Sequence, residues 1–180
     1  VYHSDGTVER RAGDYDARSS DSKLFLNIAA AYNPRPASPK ELLDVIWSNA
    51  GLPADLIGKQ IGGDNLKIIQ IGSYFQLLGL KHQSTYSLSK SIAAKYLEAN
   101  YDDVSCVYLF DTFGPNDDRK RVIDTFITQI IAQKPIKLPA QDVVINISHV
   151  SDVCKAIMES LSLPASEYCV MSEDNLSLRD

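Results

Sequence analysis

Tyr86 and Lys90 stand four residues apart in Tyr86-Ser87-Leu88-Ser89-Lys90, at the start of a predicted helix. Positions i and i+4 share a helix face, so a phenol and an ammonium there point into the same space. A tyrosine ordinarily titrates near pH ~10, and a cation beside it favours phenolate, moving the group toward acid/base work near neutrality. Such a pair suits hydride chemistry, where a proton must come or go at the reacting oxygen. The same spacing also occurs on solvated helices, so the flanking sequence decides. Upstream, Leu66-Lys67-Ile68-Ile69-Gln70-Ile71 has the length and β-branching of a buried strand and stops at Gly72-Ser73. Open α/β sheets place chemistry at strand ends. Ser73, Tyr86 and Lys90 are therefore the candidate catalytic residues.

The elements that must position them alternate. Residues 23–28, 67–71, 105–110, 143–147 and 168–171 read as strands, and 85–100, 121–133 and 150–162 as helices. Residues 33–39 form a Pro-rich loop in which Ser38 caps the next helix, with Pro39 at its first position and Glu41 three residues after the cap. That helix runs to about Asn49 and restarts at Pro53. Strands alternating with helices predict an α/β domain with a mainly parallel sheet.

Composition narrows the function classes. The chain has 180 residues, 44% hydrophobic and 23% charged, enough to bury a real core. A net charge of −5, with no basic run longer than Arg119-Lys120-Arg121, argues against nucleic acid or an anionic membrane as partner. With no signal peptide or spanning segment visible, a cytoplasmic protein is expected. Cys106, Cys154 and Cys169 lie far apart in apolar surroundings and are expected to be buried free thiols. His3, His82 and His149 lack partners at metal-ligand spacing apart from His149 with Asp152, so no metal site is expected; Asp152 reads as a brace or cap for the following helix.

Further blocks occur in order: Leu24-Phe25-Leu26-Asn27-Ile28-Ala29-Ala30-Ala31, Asn49 on a helix, Val107-Tyr108-Leu109-Phe110-Asp111-Thr112-Phe113-Gly114-Pro115, and Ile147-Ser148-His149-Val150-Ser151-Asp152-Val153. Together with Ser73, Tyr86 and Lys90 they resemble the short-chain dehydrogenase/reductase superfamily. The likeness is to its extended branch, the NAD-dependent nucleotide-sugar epimerases, dehydratases and ketoreductases. Asn27 stands where His is usual and Asp111 where many relatives have Asn. The segments 72–76 and 109–120 look like the reductases that make dideoxyhexoses, such as the CDP-abequose synthases. Family dehydratases follow the Ser/Thr with Asp-Glu, whereas Tyr74 and Phe75 stand here, which disfavours dehydration for want of the extra acid and base. Ile145 replaces an Arg that many epimerases aim at the nucleotide phosphate.

The resemblance implies a Rossmann-like, doubly wound sheet that lacks its first βαβ unit. The family's glycine-rich phosphate turn has no counterpart in this sequence; Gly58 to Gly63 reads as a helix stop and turn, and residues 8–21 as the connection leading into the first strand. Residues 1–110 are expected to form the partial dinucleotide domain, and 111–180 a substrate-binding part interleaved with the last strands. The implied activity is NAD(P)-dependent hydride transfer at C4 of a nucleotide-linked (deoxy)hexose, of ketoreductase type, in surface-polysaccharide (lipopolysaccharide) sugar biosynthesis. Tyr86 exchanges the proton, Lys90 steadies the phenolate and holds the nicotinamide ribose, and Ser73 hydrogen-bonds the reacting oxygen. NAD or NADP is expected against Ala29, Ala30, Tyr86, Lys90 and Phe110. The nucleotide sugar is expected against Ser73, Tyr74, Asp111, Thr112, Phe113, Arg119 and Lys120, the two cations near its diphosphate. A homodimer through the Tyr/Lys helix is implied as well. Two alternatives stay open: a 4-epimerase, and a non-catalytic dinucleotide-fold module serving as an interaction surface.

Overall fold

The computed structural model describes residues 24–28, 30–60, 66–115, 117 and 121–179. Its centre is a four-stranded, all-parallel sheet in the order β1 (Leu24–Asn27), β2 (Lys67–Ser73), β3 (Val104–Leu109), β7 (Glu167–Val170). Leu24 lies opposite Lys67, Ile68 opposite Val104, and Val107 opposite Tyr168. β2 can be apolar on both sides because both sides are covered. Ile68 packs with Ile57 of α2 (Leu52–Gln60), Ala94 and Leu97 of α3 (Thr85–Asn100), Cys106 and Tyr108. Ile69, Ile71 and Val107 face the other way, onto Ile157 of α5 (Val150–Ser160) and Leu161 just beyond it. Helices on both faces of a parallel sheet make the Rossmann-like, doubly wound α/β architecture read from the sequence.

Two buried amides in this apolar centre, Asn27 and Gln70, pair with each other, whereas the buried Ser105 hydroxyl of β3 has no hydrogen-bond partner among the described residues. Asn27 Nδ2 donates to Gln70 Oε1 at 2.6 Å across the β1/β2 pair, and Gln70 Nε2 donates to the carbonyl of Ile71 at 3.1 Å. Leaving either amide unpaired in this position would be costly. Gly72, at the end of β2, has no room for a side chain: a Cβ there would meet Gln76 Oε1 and Tyr108 Cδ1, both at 2.7 Å.

α1 (Pro39–Ile46) starts as read from the sequence, with Pro39 at its first position and Ser38 Oγ accepting from Glu41 N at 3.2 Å. Its end differs. Instead of stopping and restarting, the chain runs through one wide π turn, Trp47–Gly51, into α2, the N–H of Leu52 reaching back to the Trp47 carbonyl. Pro53 has no N–H for the usual i→i−4 bond, so the ladder is already interrupted there. The extra residue turns Asn49 and Ala50 inward, and both are buried.

Asn49 then becomes a lock. Its Oδ1 accepts from Ala31 N at 2.7 Å, and its Nδ2 donates to Ala31 O at 3.0 Å and to Ser89 Oγ at 2.9 Å. The loop after β1 is thereby tied to α3. α3 can approach this closely because four of its six buried residues, Ser87, Ser89, Ala93 and Ala94, are small; the other two are Lys90 and Leu97.

The second half departs from the reading more often. Residues 143–147 are two strands, not one: β5 (Val144–Ile145) pairs antiparallel with β8 (Leu176–Ser177), and β6 (Ile147–His149) pairs parallel with β4 (Asp111–Phe113). The break falls at buried Asn146, whose Nδ2 donates to Ser172 O at 2.9 Å and Asn175 Oδ1 at 3.1 Å while its Oδ1 accepts from Ser172 N at 3.0 Å. Its own carbonyl accepts from Asp111 N at 3.2 Å, so the backbone changes partner at this residue, from β8 to β4. α5 is capped by His149, which accepts from Ser151 N, and Asp152 lies in the first turn without being the cap. Cys106 is buried as expected, but Cys154 and Cys169 are exposed free thiols. Gly58 lies inside α2, which runs to Gln60; residues 61–65 and 8–21, also read from the sequence, lie outside the described residues.

Replacing Asn49 by Ala removes three hydrogen bonds and leaves both backbone groups of Ala31 without this partner. A loss of about 3 kcal/mol in unfolding free energy is expected, measured by urea denaturation. An unchanged midpoint would show that the lock contributes nothing.

Candidate active site

β2 ends at Ser73, and the short 3-10 turn Tyr74–Gln76 begins at once, Gln76 Oε1 accepting from Ser73 N at 2.8 Å. The chain then crosses to Ser84, which caps α3 and accepts from Ser87 N. Tyr86 lies in the first turn of α3 and Lys90 one turn further on. Ser89 Oγ donates to the Tyr86 carbonyl at 2.7 Å, and Thr85 N donates to the carbonyl of Pro34 at 3.3 Å. Hydrogen bonds therefore join the helix start to both the π turn and the loop after β1.

The ends of β2, β3 and α3 enclose a cavity of about 270 Å³. Ser73, Tyr86 and Lys90 line it together with Ala30, Tyr74, Phe110, Asp111 and Thr112, so eight residues proposed from the sequence share one space. Phe113 lies elsewhere, lining a neighbouring cavity of about 370 Å³ with Gly114, Pro115 and His149. Ala29, Arg119 and Lys120 lie outside the described residues.

Lys90 is only 1% exposed, and its Nζ donates to the carbonyl of Ile71 at 3.1 Å, directly below the strand end. Burial pulls the ammonium down from its ordinary value to about 8. The opposite wall is aromatic. Tyr74 stacks on Phe75 at 4.2 Å and on Phe110 at 4.9 Å between ring centroids. Burial, with the Asp111 carboxylate second, pushes the Tyr74 phenol up to about 12, so it stays a neutral hydroxyl. Asp111 also takes an ion pair from Arg121 Nη1 at 3.2 Å.

Of the lining residues that carry no assignment from the sequence, two bring polar side chains into this space, Arg121 and Tyr32. Arg121 lines both cavities and holds Asp111. A signal for it exists, since it is the third cation of Arg119-Lys120-Arg121, directly ahead of the apolar stripe of α4 (Val122–Ile131). Tyr32 lines the strand-end cavity, with its ring edge-on to Tyr86 at 5.0 Å and the Arg121 guanidinium 5.9 Å above it. A single tyrosine in a polar loop carries no local signal of that contact. Among the described residues, no group of three or more His, Cys, Asp or Glu is arranged to hold a metal ion, and no helix is long and apolar enough to cross a membrane.

A doubly wound sheet with Ser, Tyr and Lys gathered at a strand end defines the class, and comparison with known proteins gives the family. The model of the NAD dependent epimerase/dehydratase family matches residues 18–168, and the chain belongs to that family. It is 26% identical over 153 residues to the CDP-abequose synthase of Yersinia pseudotuberculosis, covering 81% of this chain and 53% of the relative. Among solved structures it is similar to the UDP-N-acetylglucosamine 4-epimerase of Methanobrevibacter ruminantium M1, with a TM-score of 0.71 at 21% identity over 92% of this chain and 61% of that one. The UDP-glucuronic acid 4-epimerase of Bacillus cereus, solved with NAD, gives a TM-score of 0.69 at 14% identity over 89% and 57%. These structural likenesses concern the fold. The chain spans about half the length of the curated relative it matches.

Burying the Lys90 ammonium makes stability depend on pH. Below about pH 8 folded and unfolded chains both hold this proton, and the folded state bears the full cost of the buried charge. Between about 8 and the ordinary 10.5 the folded chain sheds the proton first, so stability rises with pH. The shift corresponds to roughly 3 kcal/mol. In urea melts across this window, the wild type should gain about that amount relative to Lys90→Met, which lacks the titrating group. Parallel profiles would mean that the ammonium is not buried.

Proposed function

We propose that this chain carries the catalytic centre of an NAD(P)-dependent oxidoreductase that acts at C4 of a nucleotide-linked hexose, as a ketoreductase. The observation that carries the reading is the convergence of Ser73, Tyr86 and Lys90 on one cavity at the end of β2. The two residues after Ser73 favour ketoreduction over dehydration: Tyr74 and Phe75 form an aromatic stack where elimination needs an acid and a base. Similarity to the Yersinia synthase over four fifths of this chain points the same way.

A nicotinamide fits the donor set. Lys90 is a buried cation able to donate, Tyr86 offers a hydroxyl, and Ile28, Ala30 and Ile71 form an apolar wall beside them. When bound, the nicotinamide supplies or accepts the hydride. The protein's own work is proton movement and placement. Tyr86 gives its proton to the oxygen at the reacting carbon in the reducing direction. Lys90 offsets the charge left on the phenol, and Ser73 donates a hydrogen bond to the same oxygen. Tyr74, held neutral, and Asp111, paired with Arg121, present a hydroxyl and a carboxylate to the sugar. Arg119, Lys120 and Arg121 supply the cations that a diphosphate requires.

We assign residues 1–110 to the dinucleotide side and 111–180 to the substrate side, with the protein acting in the synthesis of surface-polysaccharide sugars in the cytoplasm. Leu88, Ile92 and Tyr96 form an exposed stripe at i, i+4, i+8 on α3, with Leu43 and Trp47 exposed in the chain's preceding helical segment. A second copy of the chain is the occupant this stripe suits, giving a homodimer through α3.

The test is turnover and cofactor binding with the intact protein, using NADH or NADPH and CDP- or dTDP-linked 4-keto-6-deoxyhexoses. Tyr86→Phe is expected to lower kcat by a factor of about 10² or more, and Lys90→Ala to weaken cofactor binding measured by calorimetry. Interconversion of 4-epimers with the cofactor retained would replace the reductase reading by the epimerase one. A folded protein that binds neither cofactor would leave the non-catalytic module.

A further inference from the structure

We propose that Tyr32 is a positioning residue for Tyr86, and that Arg121 sets the ring that does the positioning. The inference rests on the reading of Tyr86 as the proton donor. Tyr32 reaches Tyr86 by two independent routes. The first is direct: the rings meet edge-on at 5.0 Å with 64° between their planes, a favoured geometry for two aromatic quadrupoles. The second is through the backbone. Ala31, the residue before Tyr32, has its N–H and its carbonyl both bonded to Asn49; Asn49 donates to Ser89 Oγ, and Ser89 donates to the carbonyl of Tyr86. The carbonyl of Pro34 then accepts from Thr85 N, so the loop grips the first turn of α3 on either side of Tyr32.

Hydrogen bonds thus hold the Tyr32 backbone against the helix start, yet its side chain is more than half exposed and lines the cavity. An exposed ring in that position does little for the core. The ring meets Tyr86 edge-on and has the Arg121 guanidinium over it, 5.9 Å from its centroid. Arg121 is in turn held by Asp111 and borders both cavities. An anionic ligand that engages Arg121 from either cavity therefore acts on Tyr86 through one intervening ring, and substrate seating is coupled to the placement of the phenol.

The experiment combines steady-state kinetics of the intact protein with spectra of ring-¹³C-labelled tyrosine, the Tyr86 signal being the one lost in Tyr86→Phe. In Tyr32→Ala the neighbouring ring current disappears, so the Tyr86 signal is expected to shift. kcat should fall by about tenfold or more as the donor loses its placement, with KM changing by less. Tyr32→Phe keeps the ring and should restore both the signal and kcat. Arg121→Gln should move the Tyr86 signal without touching it directly. A Tyr86 signal unmoved in Tyr32→Ala, with turnover lost in Tyr86→Phe, overturns the positioning role alone. Equal loss in Tyr32→Ala and Tyr32→Phe also overturns it, since the hydroxyl and not the ring would then matter. Full turnover by Tyr86→Phe overturns the reading on which the proposal rests.

Discussion

The interaction on which the rest depends is the burial of an ammonium at the end of a strand. Lys90 sits with its Nζ on the carbonyl of Ile71, where β2 opens into the cavity. A charge there is expensive, and the fold is built to keep it in reach of a hydrogen bond and of the cavity. That demands a helix pressed tightly on the sheet, which explains why most of the residues α3 buries are small. It also demands that β2 be central, covered by α2 and α3 on one side and α5 on the other. A bulkier residue at Ser89 or Ala93 would lift the helix and take Lys90 away from the strand end.

A second constraint arises from the first. A helix held this closely must have its buried hydroxyls satisfied: the Ser84 carbonyl accepts from the Ser87 hydroxyl, and the π turn swings Asn49 inward to Ser89. One amide then joins three elements: the loop after β1, the turn between α1 and α2, and the first turns of α3. The cost is an interrupted helical ladder at a place where Pro53 has already removed a donor. The same amide fixes the backbone beside Tyr32, so a device that satisfies polar groups also shapes one wall of the cavity.

The other wall has a different logic. Phe75, Tyr74 and Phe110 stack, and partial burial with the Asp111 carboxylate nearby moves the Tyr74 phenol further above its ordinary range. Asp111 is balanced by Arg121, which comes from the far side of the Gly114-Pro115 segment. Acid, base and aromatic groups from five separate stretches, at 32, 74–75, 86–90, 110–111 and 121, therefore meet within one space. Asn146 stabilises this half by gathering the backbone of 172–175 at the point where residues 143–147 divide between two small sheets.

Local chemistry was enough to read much of this from the sequence. The apolar β2 run, the Ser38-Pro39 helix start, the Tyr/Lys spacing and the strand-end Ser73 are all signals carried by neighbouring residues, and each implies its geometry through backbone rules that do not depend on the fold. The alternation of strands and helices determined the sheet type for the same reason. What only the tertiary structure decided are the contacts between distant segments. Tyr32 against Tyr86, Arg121 against Asp111, Asn49 against Ser89 and Asn146 against Ser172 join residues separated by 10 to 54 positions. The exposure of Cys154 and Cys169 belongs with them, since an apolar neighbourhood in sequence says nothing about which side of a helix or an edge strand faces water. A side chain's own spacing can show that it is able to do chemistry; which partner it meets is set by packing, and packing is a property of the whole chain.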